Sequence, residues 1–405
     1  MKMTEVGWIP KDWEVKKVSD VATMPTATIS SNSFDHKYYV GTDNMLSDKA
    51  GITLFEGTLN YNSVRQYKVG DTLISNIRPY LKKVWYADKN AGCSTDVIVF
   101  RAIENEVTPE YLHIALADDR YFKCVMDAPV GTKMPRGDKK VISDFCFALP
   151  TSPSEQRRIA SVLSDTDSLI ASLSRTIEKK RLVKQGAMQQ LLTGKTRLKG
   201  FSGEWVEKEL GEIGQLTGAG VDKTIKDDET PVRLLNFLDV YNRDRIYSRE
   251  LKMWVTASEM KIQKCDIRCG DIFLTPSSEL PNDIGRSAVA MQDIQDACYS
   301  YHILRLRPYE KLDLNYSAYM LKTAEFEQQI RFLSEGSGKR YVISLKNFRE
   351  IRIQIPSDIR EQEAIGLRIA TMDNEIASLE AELQKYKALK QGMMQKLLTG
   401  QIRLV

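Results

Sequence analysis

KQGAMQQLLTGKTRL, residues 184–198, returns almost unchanged as KQGMMQKLLTGQIRL, residues 390–404. Eleven of the fifteen aligned positions are identical, at an offset of 206 residues. The same offset carries upstream. Pro150 meets Pro356, Glu155-Gln156 meets Glu361-Gln362, Ile159 meets Ile365, Asp167 meets Asp373, and Ile170-Ala171-Ser172-Leu173 meets Ile376-Ala377-Ser378-Leu379. The repeated unit is thus a segment of about fifty residues rather than a short motif.

Its periodicity predicts its shape. In the second copy Ile365, Ile369, Met372, Ile376, Leu379, Leu383, Tyr386, Lys390, Met393 and Leu397 advance by alternating steps of four and three, the seam spacing of a coiled coil. The first copy keeps step with Ile159, Leu163, Thr166, Ile170, Leu173, Ile177, Lys180, Lys184, Ala187 and Leu191, although Thr166, Lys180 and Lys184 dilute its seam. No proline interrupts either run, and each stops at a Thr-Gly, where a left-handed C-cap favours Gly194 and Gly400. Each copy is therefore expected to be a helix of roughly 40 residues, about 60 Å long. A helix apolar on one stripe needs a partner along its length, and its own duplicate is the simplest one. The first copy runs straight into residue 200, as the second would run into residue 1, so the chain resembles a circularly permuted two-fold repeat with its ends expected close together.

The segments between the helices form a looser repeat. GWIPKDWEVKKVSDV (7–21) parallels GFSGEWVEKELGEI (200–213), with Trp13 over Trp205. VGDTLIS (69–75) parallels CGDIFLT (269–275), a strand entered through a Gly-Asp turn. FCFALP (145–150) and IRIQIP (351–356) read as strands stopped by proline. The expected fold is α+β, with two small globules at 1–150 and 199–356 separated by helical segments at 151–198 and 357–405. Connectors that stay alike while globules diverge imply identical partners for the former and different targets for the latter.

Composition narrows the function. At 405 residues, 42% hydrophobic and 28% charged, the chain can bury two or three cores, and it holds no run of eighteen apolar residues. A cytoplasmic protein with no membrane role is expected. The net charge of +4 is concentrated in residues 151–199, with 10 basic and 4 acidic residues; residues 1–150 carry 19 of each sign. Nucleic-acid affinity would have to come from local clusters or from a partner. The six cysteines form no CxxC pair and are expected to be buried thiols, and His36, His113 and His302 are too scattered for a metal set. Gly194-Lys195-Thr196 ends a helix, where a phosphate loop must begin one. No catalytic constellation emerges, and no catalytic or metal-binding residue is assigned.

The layout of globule, helix ending QLLTGKTRL, globule, helix ending KLLTGQIRL resembles the specificity subunit of Type I restriction-modification systems. YVGTDNM (39–45), GDTLISNIRPYLKKVW (70–85), GTKMPRG (131–137), PSEQRRIASVL (153–163) and REQEAIGLRI (360–369) are similar to that family's motifs, and the resemblance covers essentially the whole chain. It implies a non-catalytic subunit with two target recognition domains, held apart by an antiparallel coiled-coil spacer, each reading one half of a bipartite site in double-stranded DNA. Two methyltransferase subunits would dock on the repeated helices and restriction-motor subunits would join them. S-adenosylmethionine, ATP and Mg would then sit on those partners and none on this chain. A structural adaptor, whose coiled coil separates two protein-binding domains, is the alternative that the neutral globules leave open.

Base reading requires bidentate or apolar side chains beside phosphate anchors. In the first globule the candidates are Asn76, Arg78, Tyr80, Lys82 and Lys83, then Thr132, Lys133, Arg136, Lys139 and Lys140. In the second they are Arg243, Arg245, Ser277, Ser278, Asn282, Lys339 and Arg340. Ile159, Leu163, Ile170, Leu173, Leu191, Ile365, Ile369, Ile376, Leu379, Met393 and Leu397 are assigned to the spacer or to partner docking.

Overall fold

A computed structural model describes residues 1–127, 129–131, 134–280, 283–337 and 340–404. The chain packs as two compact units, residues 1–174 with 381–405, and residues 175–380. Both are built on the Gly-Asp turn singled out in the sequence.

In the first unit Gly70 takes a φ of 87° and turns the chain into the strand Thr72–Ser75. That strand lies between Val97–Ala102 and Val84–Tyr86 in an antiparallel sheet, with Ala22–Thr23 at its edge. The turn's Asp71 is buried, and a buried carboxylate needs a cationic partner. Arg101, from the neighbouring strand, supplies two hydrogen bonds at 2.8 and 2.6 Å. A second antiparallel sheet joins Thr28–Ser30, Ser63–Tyr67 and Ala91–Cys93. Cys146–Leu149 pairs with Glu14–Lys17 and delivers the chain to the first long helix, Pro153–Leu191.

The second unit repeats the device. Gly270, at φ 88°, leads into Ile272–Leu274, the centre of a five-stranded sheet, and Arg307 donates two bonds of 2.7 Å to buried Asp271. Thr230–Leu235 joins Met253–Ala257 and, in parallel, Ile294–Tyr299 in another sheet. Trp205–Glu209 pairs with Arg352–Pro356 and so delivers the chain to the second long helix, Ile359–Leu397. Cys93, Cys265 and Cys298 are buried thiols as expected, whereas Cys124 and Cys146 are only half-buried and Cys269 is exposed.

Each unit contains one half of each helix, and in each unit the halves run antiparallel. In the first, Asp167 pairs with Lys390 and Glu155 with Arg403, so one helix descends as the other climbs. In the second, Lys180 meets Glu375 at 2.6 Å, Lys184 meets Asp373, and Arg197 meets Glu361. None of the ten seam positions in either copy is exposed. Ile159, Leu163 and Leu397 enter the first unit's core with Met393 against it, while Leu191, Ile365 and Ile369 enter the second's. The lysines that dilute the predicted seam thus have carboxylate partners, and the pairs Lys390–Asp167 and Lys184–Asp373 occupy equivalent positions of the repeat.

The repeated motif builds a joint. Gly194 and Gly400 take φ values of 69° and 64°, the left-handed cap that the Thr-Gly signals predict. Thr196 and Ile402 donate their backbone N–H back to Gln190 and Lys396, closing the two helix ends in the same way. The arginine three residues beyond each glycine then folds over a tryptophan, Arg197 at 5.7 Å from the Trp205 ring and Arg403 at 5.6 Å from Trp13. It grips the buried glutamate at the start of the opposite helix. Arg197 donates to Glu361 at 2.6 and 2.6 Å, and Arg403 to Glu155 at 2.5 and 2.8 Å. The next residue is also used alike: the amide groups of Gln156 and Gln362 donate to the carbonyls of Pro150 and Pro356 at 2.7 and 3.0 Å. Arg403 also reaches Asp12, which brings the two terminal regions together.

Candidate nucleic-acid interface

In each globule the central strand emerges into a polar loop that a hairpin holds in place. In the first, Ile77 bridges to Arg136 on the hairpin formed by Pro129–Val130 and Arg136–Gly137. In the second, Ser277–Ser278 pairs with Arg340–Val342, which pairs in turn with Glu335–Ser337. The equivalence is residue for residue, because Ile77 and Ser277 both lie seven residues after the turn glycine.

Most predicted contacts in the first globule gather here, but with different freedom. Asn76 is half-buried, and its side-chain oxygen accepts from the Gly137 N–H at 3.1 Å, so it ties strand to hairpin. Lys83 donates to the Thr42 carbonyl at 2.6 Å. Lys82 shares Asp119 with Lys49, at 2.9 and 2.8 Å, and these two lysines hold the Asp119 carboxyl below the usual carboxylate range against the opposing effect of its burial. Arg136 pairs with Asp96 at 3.0 Å, both partners open to solvent. Arg78, Tyr80, Lys139 and Lys140 are exposed, and among the described residues none of these three cations forms an ion pair. Thr132 and Lys133 lie outside the described residues.

The second globule divides its predicted contacts. Ser277 is buried and accepts from the exposed Arg340 at 2.9 Å, with Ser278 half-buried beside it. These three line a cleft of about 610 Å³ with Phe237, Leu238 and His302. Burial and the charge of Arg340 keep His302 below its ordinary pKa. Arg243 and Arg245 belong elsewhere, lining a different cleft of about 1150 Å³ beside the long helices. Arg243 is held by Asp239 at 2.8 Å, and Arg245 donates to the Tyr319 hydroxyl at 2.8 Å while stacking 5.1 Å from its ring. Asn282 and Lys339 lie outside the described residues.

Phe237, Leu238 and His302 were not anticipated as part of this face. The available signal was Asn236, whose side chain caps the short helix Phe237–Tyr241 and leaves Leu238 exposed. Among the described residues no group of carboxylates, histidines and cysteines could hold a metal ion, and no helix is long and apolar enough to cross a membrane.

A chain with two strand-loop-hairpin globules and two antiparallel connecting helices has solved counterparts. A chain solved in work on complex assembly and conformational transition of the type I R-M system superposes with a TM-score of 0.60 at 17% identity, covering 97% of this chain and 99% of that one. The type I restriction-modification S subunit from M. genitalium gives 0.58 at 14% identity, over 98% of both chains. These likenesses establish the fold. The Type I restriction modification DNA specificity domain matches twice, over residues 10–180 and 202–390, and the chain belongs to that family. Two relatives come from Methanocaldococcus jannaschii. The Type I restriction enzyme MjaVIII specificity subunit is 24% identical, covering 98% of this chain and 94% of its own, and the putative MjaX specificity subunit is 25% identical, covering 100% and 96%. The protein is accordingly a DNA-specificity component rather than a catalytic one.

Proposed function

We propose that each globule reads one half of a bipartite DNA target, that the paired helices set the unread gap, and that two methyltransferase subunits dock on the repeated helices. The observation that supports this reading most directly is the contrast inside the repeat. The joints use the same residues twice, while the loops on the equivalent frames carry Arg78 in one globule and Ser278 in the other. The seam side chains are occupied within the chain, so docking falls to the outer helix faces, where Val183 and Leu389 are about half exposed at equivalent positions of the repeat. Restriction-motor subunits would complete the assembly in the cytoplasm. S-adenosylmethionine would be held by the methyltransferase subunits, with ATP and Mg also on partner subunits.

The test is replacement of residues 14–150 by the same segment of a relative, followed by methylation mapping in cells that express the whole complex. One half of the methylated motif should change while the other half and the gap persist. Changes in both halves would show that the globules do not read independently.

A further inference from the structure

We propose that Arg78 is the residue of the first globule that reads a guanine, and that Ser278 holds the matching position in the second globule. This rests on the bipartite reading above and names the base that one of its loops selects. The first ground is the backbone. Arg78 sits at φ 52° and ψ 61°, a left-handed conformation that a non-glycine residue adopts only when its surroundings enforce it. Pro79 follows, the Arg78 N–H donates to the Pro135 carbonyl at 2.8 Å, and the Ile77–Arg136 bridge fixes the residue before it. The strained residue is therefore held from both sides, and its side chain leaves a rigid base toward solvent.

The second ground is elimination by pairing. Lys82 is engaged by Asp119, Lys83 by a carbonyl and Arg136 by Asp96, so each would have to leave a partner to meet DNA. Arg78 has no such partner among the described residues. A guanidinium on a fixed base, with its fork unused, matches the O6 and N7 acceptors of guanine in the major groove. Lys139 and Lys140 are also free of ion pairs among the described residues, but an ammonium group lacks that planar fork and suits a phosphate. The third ground is the comparison between the globules. Residue 278 occupies the same place after its Gly-Asp turn and on its hairpin, yet offers a short hydroxyl, as expected if this position distinguishes the two half-sites.

The test uses Arg78→Gly in the full chain assembled with its methyltransferase subunits, because glycine accepts the left-handed backbone while the whole side chain, guanidinium included, is removed. Methylation of a DNA pool with randomised half-sites should show a fixed guanine in the half that depends on residues 14–150. Arg78→Gly should lower discrimination at that one position by about 5- to 150-fold and leave every other position intact. If Arg78→Gly does not assemble, Arg78→Asn, also suited to this conformation, is read in the same way. An unchanged motif, or a first-globule half without guanine, overturns the assignment and leaves the bipartite reading standing. A loss spread evenly over all sequences, with the salt slope of binding smaller by about one, makes Arg78 a phosphate contact and also overturns it. Failure of the unaltered complex to methylate any split motif would instead remove the reading on which the assignment rests.

Discussion

The joints at the helix ends and the loops at the tops of the central strands sit on the same repeated scaffold but have diverged to different degrees. At the joints, arginine, glutamate, tryptophan, glycine and glutamine recur in the same roles. At the loops, the backbone frame recurs but the chemistry does not: SNIRPY faces TPSSEL, and the first loop is crowded with cations where the second borrows one from its hairpin. A duplicated chain can vary what it presents to a target once the parts that hold its shape are closed internally. The joints themselves are alike without being identical. Glu155 also accepts the Trp13 indole N–H at 3.3 Å and its arginine has Asp12 as a second acid, whereas the Trp205 indole nitrogen is buried without a partner.

That asymmetry should appear most strongly when an arginine is removed. Arg197→Met leaves Glu361 buried opposite an apolar chain, and breaking such a pair costs about 3–5 kcal/mol. Arg403→Met should cost about 1 kcal/mol less, because the Trp13 indole still donates to Glu155. Denaturant unfolding of both variants checks the order, and equal losses would mean that the Trp13 indole does not relieve the Glu155 carboxylate left by Arg403.

Acid should separate the two globules next. In the first, burial, aided by the charge of Lys390, brings His113 down to a pKa of about 4, against the Thr72 hydroxyl and the Tyr86 ring. The folded state then binds its proton less readily than the unfolded state. This contribution is complete above about pH 6.5 and falls by about 1.4 kcal/mol per pH unit as pH drops toward 4. Unfolding of the natural chain and of His113→Gln, each measured from pH 7 to 5, should diverge by about 2 kcal/mol in total, most of it below pH 6.5. Parallel curves would place the ring in contact with water.

The smallest effect should come from the tryptophans. Trp13→Phe loses an indole-to-carboxylate bond and Trp205→Phe loses none, so the first change should cost more by about 1 kcal/mol, read in the same denaturation experiment. A larger loss from Trp205→Phe would reverse the proposed ranking of the joints.

The sequence by itself determined the long helices, their stops at Gly194 and Gly400, the two α+β globules and the strands entered through Gly-Asp turns. All of these rest on local preference and on periodicity, which a chain displays whatever it packs against. It also marked Lys180 and Lys184 as exceptions in an apolar seam, but not what satisfies them: Glu375 and Asp373 lie almost two hundred residues away. Tertiary structure alone decided that the arginine of the repeated motif closes on Glu155 or Glu361, that Asp71 and Asp271 have partners on the adjacent strand of the sheet in Arg101 and Arg307, and that Arg245 faces Tyr319. It also sorted the basic residues of the loops into engaged and available ones. Charge can be read along a chain, but whether a charge is neutralised depends on residues brought together by folding, and a side chain can read DNA only if the fold leaves it free to do so.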